Sequence, residues 1–312
     1  MDTRWRGCGT ALVTPFTGGG DLDEAAVRRL ARRQIDAGVH FLVPCGTTGE
    51  SPTLTHAEKL RVVDMVVDEA AGKVPVLAGA GGYDTRSTVA LARELVALGA
   101  DGLLSVTPYY NKPTQDGLYR HFRTIADSVD RPLVLYNVPS RTGCNIQPPT
   151  LARLAAAGNI AGVKEASGDL GQMCEICRTA PSDFSVLSGD DAFTLALLAL
   201  GGRGVISVVA NEAPAAMAQL VERGESGDFA AARAVHERLL PLMQVNFIES
   251  NPIPVKAAME VMGLAPAHYR LPLSPPSPAS RDRIAAVLAE LGMAGGADRR
   301  GAAADTPTVE GS

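Results

Sequence analysis

The stretch "NIAGVKEASG", residues 159–168, decides the interpretation of this sequence, because it reads as a buried strand that carries a lysine. Residues 160–163 are apolar on both faces, a pattern typical of parallel sheets that are covered by helices on both sides. Lys164 follows while the strand is still expected to be buried. Two questions arise: how many such strands the chain contains, and what a buried ammonium group does.

Further apolar segments of this kind recur along the chain. Together with 160–167 they give eight predicted strands, the others at 9–16, 41–46, 74–81, 102–108, 132–139, 184–191 and 204–211. Segments with helical spacing, such as 23–38 and 85–100, lie between them. Eight alternating units predict a (β/α)8 TIM barrel. A doubly wound open sheet is the alternative, but the first strand is not followed by its G-x-G-x-x-G turn.

The remaining sequence predicts a C-terminal helical appendage to the barrel. We expect a catalytic barrel over 1–223, a helical region over 224–293 and a disordered tail over 294–312, which is polar and rich in Gly and Ala. The last helix is expected to begin at Ser280, a residue type common at helix N-caps.

Composition excludes several classes of function. The 312 residues are 46% hydrophobic with a net charge of −5, and no block of Lys or Arg points to nucleic acid or an anionic membrane. The longest apolar run, 192–200, is too short to span a membrane. Five scattered cysteines and the lack of a signal-peptide pattern predict a cytoplasmic protein with reduced thiols. The C-x-x-C pair at 174–177 lacks a second ligand pair, so no metal site is expected.

Polar residues lie at the carboxyl ends of several of the predicted strands, the end of a TIM barrel where catalytic groups gather. They are Thr47, Thr48, Tyr109, Tyr110, Tyr136, Arg141 and Lys164. A buried lysine is costly unless it is paired or neutral, and a neutral amine is a nucleophile toward carbonyl carbon. The alternative, a structural ion pair with Glu165 or Asp190, stays open, although Glu165 points to the opposite face.

The neighbouring strand ends offer groups that suit such chemistry. The Tyr136 phenol could move protons beside the amine, or be a core aromatic with a satisfied hydroxyl. Thr47 and Thr48 offer hydroxyls and backbone N–H groups that suit a carboxylate, or form a simple turn. Arg141 can bind a carboxylate in bidentate fashion, or lie free on the surface.

Taken together, the motifs resemble the dihydrodipicolinate synthase family of pyruvate-dependent, Schiff-base-forming lyases. They run in one order from about residue 7 to about 292: "GTTGESPTLTHAEK", "TPYYNKPTQDGLYRHF", "YNVPSRTG", "GVKEASGD", "SGDD" and "GVISV". The resemblance implies that pyruvate condenses with L-aspartate 4-semialdehyde in lysine and diaminopimelate biosynthesis. It implies no metal or organic cofactor, because the lysine supplies the electron sink.

The resemblance also implies a role for each site residue. Lys164 forms the Schiff base with pyruvate, and Tyr136, Thr47 and Tyr110 form a proton relay. Tyr110 is expected to reach in from a neighbouring subunit, in a homotetramer built as a dimer of dimers.

Substrate-binding roles follow in the same way. Thr48 is expected to hold the pyruvate carboxylate together with the preceding threonine, and Arg141 the carboxylate of the semialdehyde. Gly189 and Ile206 are expected to line the pocket with their backbone carbonyls. Sister enzymes that cleave N-acetylneuraminate or 2-keto-3-deoxy sugar acids are the alternative, although "VPSRTG" (138–143) and "ESNPIPVK" (249–256) favour the synthase. A barrel that only senses a small molecule is the non-enzymatic alternative.

One departure from the family pattern concerns feedback inhibition by lysine. The positions that the resemblance assigns to a regulatory site are Ser51, His56, Lys59, Tyr83, Ser87 and Tyr109. Lys59 stands where inhibited enzymes carry a His or Glu, and Tyr83 and Ser87 replace an Asn and a Glu. A cation at that position repels a lysine ligand, so the sequence predicts weak or absent inhibition by L-lysine.

Overall fold

The computed structural model describes residues 5–295, and the predicted barrel is confirmed. Eight parallel strands pair in the order β2-β1-β8-β7-β6-β5-β4-β3, and a parallel bridge between Leu42 and Val76 joins the two outer members. The strands are β1 Gly7–Ala11, β2 Phe41–Val43, β3 Leu77–Gly79, β4 Gly102–Val106, β5 Leu133–Asn137, β6 Ile160–Glu165, β7 Ser185–Ser188 and β8 Gly204–Ser207. All eight end earlier than predicted, so Thr47, Thr48, Tyr109 and Tyr110 lie in the loops that follow the strands, whereas Tyr136 and Lys164 lie within β5 and β6.

Helices alternate with the strands and cover the outside of the barrel. They are α1 Glu24–Asp36, α2 His56–Ala70, α3 Thr85–Ala97, α4 Gln115–Ala126, α5 Pro139–Thr142, α6 Pro148–Ala155, α7 Leu170–Thr179 and α8 Thr194–Ala199. Short side-chain caps fix where several begin. In α2, Thr55 accepts from the Glu58 backbone N–H while the Glu58 carboxylate accepts from that of Thr55, a reciprocal capping box.

α9, Pro214–Glu225, follows β8 and completes the ring of helices around the barrel. Three further helices form the C-terminal region, namely α10 Phe229–Val245, α11 Ile253–Val261 and α12 Pro278–Glu290. The expectation that Ser280 caps the last helix is wrong. Ser277 is the cap, and its hydroxyl accepts from the Ser280 backbone N–H, because Pro278 suits the first helical position and lets the helix begin earlier. The division at residues 223 and 224 stays a prediction, and 296–312 of the predicted tail lie outside the described residues.

Aliphatic side chains fill the space between strands and helices, and a smaller cluster lies inside the barrel. The inner cluster contains Tyr136, Leu187 and Ile206. Close packing there requires glycine at Gly9, where a Cβ would lie 2.1 Å from the Phe41 ring. Within residues 5–295, no helix is both long and apolar enough to cross a membrane.

Candidate active site

Lys164 and Tyr136 lie side by side at the carboxyl end of the barrel. The pairing of β5 with β6 places them in register, and the Lys164 Nζ lies 4.4 Å from the centroid of the Tyr136 ring. Their exposed fractions are 4% and 7%, so both side chains are buried. The structure thus brings together the amine and the phenol that the sequence analysis singled out.

Lys164 forms no ion pair with any residue in the range 5–295. Glu165 points away from the barrel interior, where its carboxylate accepts from Asn137 and Gln172. Asp190 does line the same cavity as Lys164, but its Oδ1 accepts from the Ala192 backbone N–H. Burial raises the pKa of Asp190, and the Lys164 charge opposes that shift. The structural ion pair that the sequence left open is therefore absent.

The cavity beside Lys164 has a volume of about 530 Å³. It is lined by Thr47, Thr48, Tyr136, Val138, Ser140, Arg141, Lys164, Ala166, Gly189, Asp190, Val208 and residues 247–251. Gly189 makes room for the lysine, because a Cβ there would lie 3.1 Å from Lys164 Cγ and 2.6 Å from Ala166 Cβ. Of the two residues expected to offer backbone carbonyls, Gly189 lines this cavity, whereas Ile206 is buried in β8 within the inner cluster.

A tight turn after β2 presents the two threonines. Thr47 is half-buried and lines the cavity, and Thr48 is buried, with its hydroxyl accepting from the Asn251 side-chain amide at 3.0 Å. Gly49 packs closely under the turn, since a Cβ there would lie 3.0 Å from Leu12 O and force its neighbours to shift. Glu50 then takes a left-handed conformation, with φ at 52°.

A buried ion pair anchors this turn to the C-terminal region. The Lys256 Nζ on α11 donates to Glu50 Oε1 at 2.5 Å, to Thr14 O at 3.0 Å and to His268 O at 2.6 Å. Burial lowers the pKa of Lys256, and the Glu50 carboxylate opposes that shift. The exposed fractions of the two side chains are 3% and 0%, so both charges are removed from water and each depends on the other for compensation.

Arg141 projects from α5 over the mouth of the cavity. Its Nη2 donates to the Asn251 carbonyl at 3.1 Å, so Asn251 contacts both Arg141 and Thr48. Asn251 and Lys256 both lie in the segment 249–256, and no role for either residue was predicted from the sequence. For Lys256, its place inside the apolar run 252–259 could have indicated a buried contact, whereas Asn251 follows two polar residues and carries no such signal.

Tyr110 does not line the cavity of its own chain. Its side chain is 93% exposed, and its backbone is left-handed, with φ at 70°. A non-glycine residue in this conformation is uncommon. One chain therefore assembles Lys164, Tyr136 and Thr47, while the fourth residue of the expected relay points into solvent.

The six positions of the expected regulatory site are only partly brought together. Ser51, Lys59 and Tyr109 line a second cavity of about 230 Å³, which shares Thr47, Tyr136 and Arg141 with the first. The other three positions make contacts elsewhere. Tyr83 packs edge-on against Tyr109, with ring centroids 5.4 Å apart. His56 forms a hydrogen bond with Glu94 at 2.9 Å, and the Ser87 hydroxyl donates to Asp84.

Within the described part of the chain, no group of three His, Cys, Asp or Glu side chains is placed to hold a metal ion. Cys174 and Cys177 lie on α7 as free thiols. The fold and the site together define the class: a (β/α)8-barrel enzyme whose candidate site contains a buried lysine that has no ion pair among residues 5–295.

The chain belongs to the dihydrodipicolinate synthetase family, whose model matches residues 4–291. A 4-hydroxy-tetrahydrodipicolinate synthase from Koribacter versatilis is 51% identical over 289 residues, which cover 92% of this chain and 96% of that protein. The crystal structure of dihydrodipicolinate synthase from Thermotoga maritima matches with a TM-score of 0.91 and 46% identity, covering 93% and 99% of the two chains. A structure described as the first monomeric dihydrodipicolinate synthase variant matches with a TM-score of 0.91, 46% identity and coverage of 93% and 98%. The resemblance seen in the sequence is confirmed.

Proposed function

We propose that this chain catalyses the condensation of pyruvate with L-aspartate 4-semialdehyde, the reaction of a 4-hydroxy-tetrahydrodipicolinate synthase. The observation that carries the proposal is Lys164, which is buried, free of any ion pair within residues 5–295, and 4.4 Å from the Tyr136 ring. An amine in this setting can attack the ketone of pyruvate, and family membership indicates which ketone it meets.

The first half-reaction uses the floor of the cavity. The Lys164 amine adds to the ketone carbon, and loss of water gives the imine. In this proposal the Tyr136 hydroxyl carries the protons that this loss of water requires, and Thr47, which lines the same cavity, takes part in the relay. Thr47 and Thr48 hold the pyruvate carboxylate, which suits the hydroxyls and backbone N–H groups of their turn.

The second half-reaction uses the mouth of the cavity. The imine loses a methyl proton to become an enamine, whose carbon attacks the aldehyde. The amino group of the second substrate then attacks the imine carbon, which closes the ring and returns the amine to Lys164. Arg141 binds the second substrate's carboxylate, and Gly189 and Ile206 contribute backbone carbonyls, as the family resemblance implies.

We expect Arg141→Ala to weaken binding of the semialdehyde far more than that of pyruvate. A charge-assisted, bidentate contact of about 1.5–3 kcal/mol corresponds to a rise in KM for the semialdehyde of roughly 10- to 100-fold. Steady-state kinetics with each substrate varied in turn measure the split. Arg120→Ala, which removes an exposed arginine paired with Asp116, is the matched control. A KM rise that is equal for the two substrates would contradict the assignment.

We also infer that two copies of the chain complete each site, and that two such dimers form a tetramer. The 93% exposed side chain of Tyr110 supports this, because its hydroxyl can join the relay only at the cavity of another copy. Sedimentation analysis tests the assembly. A monomer that turns over at full rate would overturn the role of Tyr110.

Inhibition by L-lysine is expected to be weak or absent. Lys59 lines the second cavity and forms no ion pair with the residues that the structure describes, so its charge repels the ligand's side-chain ammonium. A coupled assay with added L-lysine measures this, and half-maximal inhibition below millimolar concentration would show the prediction to be wrong.

Turnover tests the proposed function itself. The purified chain is supplied with pyruvate and L-aspartate 4-semialdehyde in one assay, and with N-acetylneuraminate or 2-keto-3-deoxy sugar acids in another. We expect condensation in the first and no cleavage in the second. Efficient cleavage of a sugar acid without condensation would replace the synthase by a sister lyase.

A further inference from the structure

The register that pairs Tyr136 with Lys164 also pairs the next residues along the two strands, Asn137 and Glu165. Successive side chains on a strand point to opposite faces of the sheet. Tyr136 and Lys164 therefore face the barrel interior, whereas Asn137 and Glu165 face the surrounding helices. Both outer side chains are completely buried. The two reacting groups thus lie on the inner face of β5 and β6, and the buried polar pair lies directly behind them on the outer face.

The buried pair sits in a hydrogen-bond network in which every partner of Glu165 is a donor. Its Oε2 accepts from the Asn137 side-chain amide at 3.0 Å. Its Oε1 accepts from the Ser167 backbone N–H at 2.9 Å and from the Gln172 side-chain amide at 3.3 Å. This arrangement matches a carboxylate, both of whose oxygens only accept.

The orientation of Asn137 is fixed from its other side. Its Oδ1 accepts from the Ile146 backbone N–H at 2.9 Å, and its Nδ2 also donates to Asn145 Oδ1 at 2.7 Å. The amide cannot turn over without losing the first of these bonds. The group that Asn137 presents to Glu165 is therefore its Nδ2–H and not its Oδ1. Asn137 is the donor of this hydrogen bond and Glu165 is the acceptor.

We propose that Glu165 and Asn137 are positioning residues for the reaction: their cross-strand bond holds β5 against β6 so that Tyr136 and Lys164 keep the spacing that proton transfer needs. The proposal rests on the proposed function. A small displacement between reacting groups is enough to slow a reaction strongly, and a buried bond directly behind them opposes such a displacement.

Glu165→Gln tests the proposal with little change of shape. One oxygen becomes an NH2 group, which faces either Asn137 Nδ2 or the donors of Ser167 and Gln172, so a donor meets a donor. We expect kcat to fall roughly 10- to 100-fold. The KM for pyruvate should change much less, because the threonine turn that is proposed to bind its carboxylate follows β2, away from β5 and β6.

A second variant distinguishes a positioning role of the Asn137–Glu165 bond from a general need to satisfy the buried Glu165 carboxylate. Gln172 donates to the same carboxylate from α7 and also bonds the Asn145 side chain. Gln172→Leu therefore removes one donor to Glu165 and the contacts with Asn145, but it leaves the direct Asn137–Glu165 bond between β5 and β6 in place. We expect it to lower thermal stability while kcat stays within about threefold. Glu175→Gln, a half-exposed position on the same helix, is the surface control and should change neither.

The outcomes are distinct. The proposal is overturned if folded Glu165→Gln keeps wild-type kcat, or if Gln172→Leu loses kcat to the same extent. If Glu165→Gln does not fold, Asn137→Ser removes the amide that donates across the strands. The same result is expected for it, a lower kcat with a much smaller change in the KM for pyruvate. The wild-type protein is assayed in parallel. Failure of wild-type condensation contradicts the proposed function, whereas wild-type turnover with unaffected variants contradicts only the positioning role.

Discussion

Lys164→Arg is expected to abolish both adduct formation with pyruvate and turnover. The guanidinium stays protonated and cannot act as a nucleophile, while it keeps the positive charge and much of the volume of the lysine. Because the reaction proceeds through a covalent bond to this residue, kcat should fall by roughly three orders of magnitude or more. Steady-state kinetics with both substrates measure the loss.

The matched control is Lys73→Arg, which makes the same change at an exposed position far from the cavity. Its kcat and KM values should equal those of the wild-type protein. Substantial turnover by folded Lys164→Arg would mean that Lys164 is not the nucleophile, whatever its burial and its place beside Tyr136.

Among the variants considered, Lys256→Met is expected to lower the free energy of unfolding the most. It leaves the Glu50 carboxylate buried without its cation, and removing one partner of a buried ion pair costs about 3–5 kcal/mol. Denaturant unfolding measures the loss. The double variant Lys256→Met with Glu50→Gln should recover much of it, because no uncompensated charge remains.

A surface ion pair provides the control for this comparison. Arg281→Met breaks the exposed pair between Arg281 and Glu260, for which a loss of at most about 1 kcal/mol is expected. Equal losses from Lys256→Met and Arg281→Met would show that the buried pair does not hold the turn that bears Thr47 and Thr48.

The sequence predicted the barrel and much of the site because both follow from local patterns. Apolar runs with helices between them specify parallel strands, and a lysine inside such a run is visible without any structure. Tyr136 and Thr47 could be found for the same reason, since each lies near the point where an apolar run stops. The start of α12 was misjudged because Ser277 and Ser280 are equally good caps, and only the geometry of Pro278 decides between them.

Contacts between distant parts of the chain were not predictable in this way. Asn251 meets Thr48 across 203 positions and Lys256 meets Glu50 across 206, and no periodicity connects such residues. The network behind Lys164 was hidden for a different reason. Glu165 was correctly expected to face away from the lysine, but its donors come from three places: a neighbouring strand, the loop after β6 and a helix.

Trapping with borohydride is the most direct test of whether Lys164 forms a Schiff base with pyruvate. The wild-type protein is incubated with pyruvate, reduced with borohydride, digested and analysed by peptide mass spectrometry. We expect a covalent pyruvate adduct at Lys164 in the wild-type protein and no such adduct in Lys164→Arg. An unmodified Lys164, or an adduct on another lysine such as Lys256, would contradict this expectation.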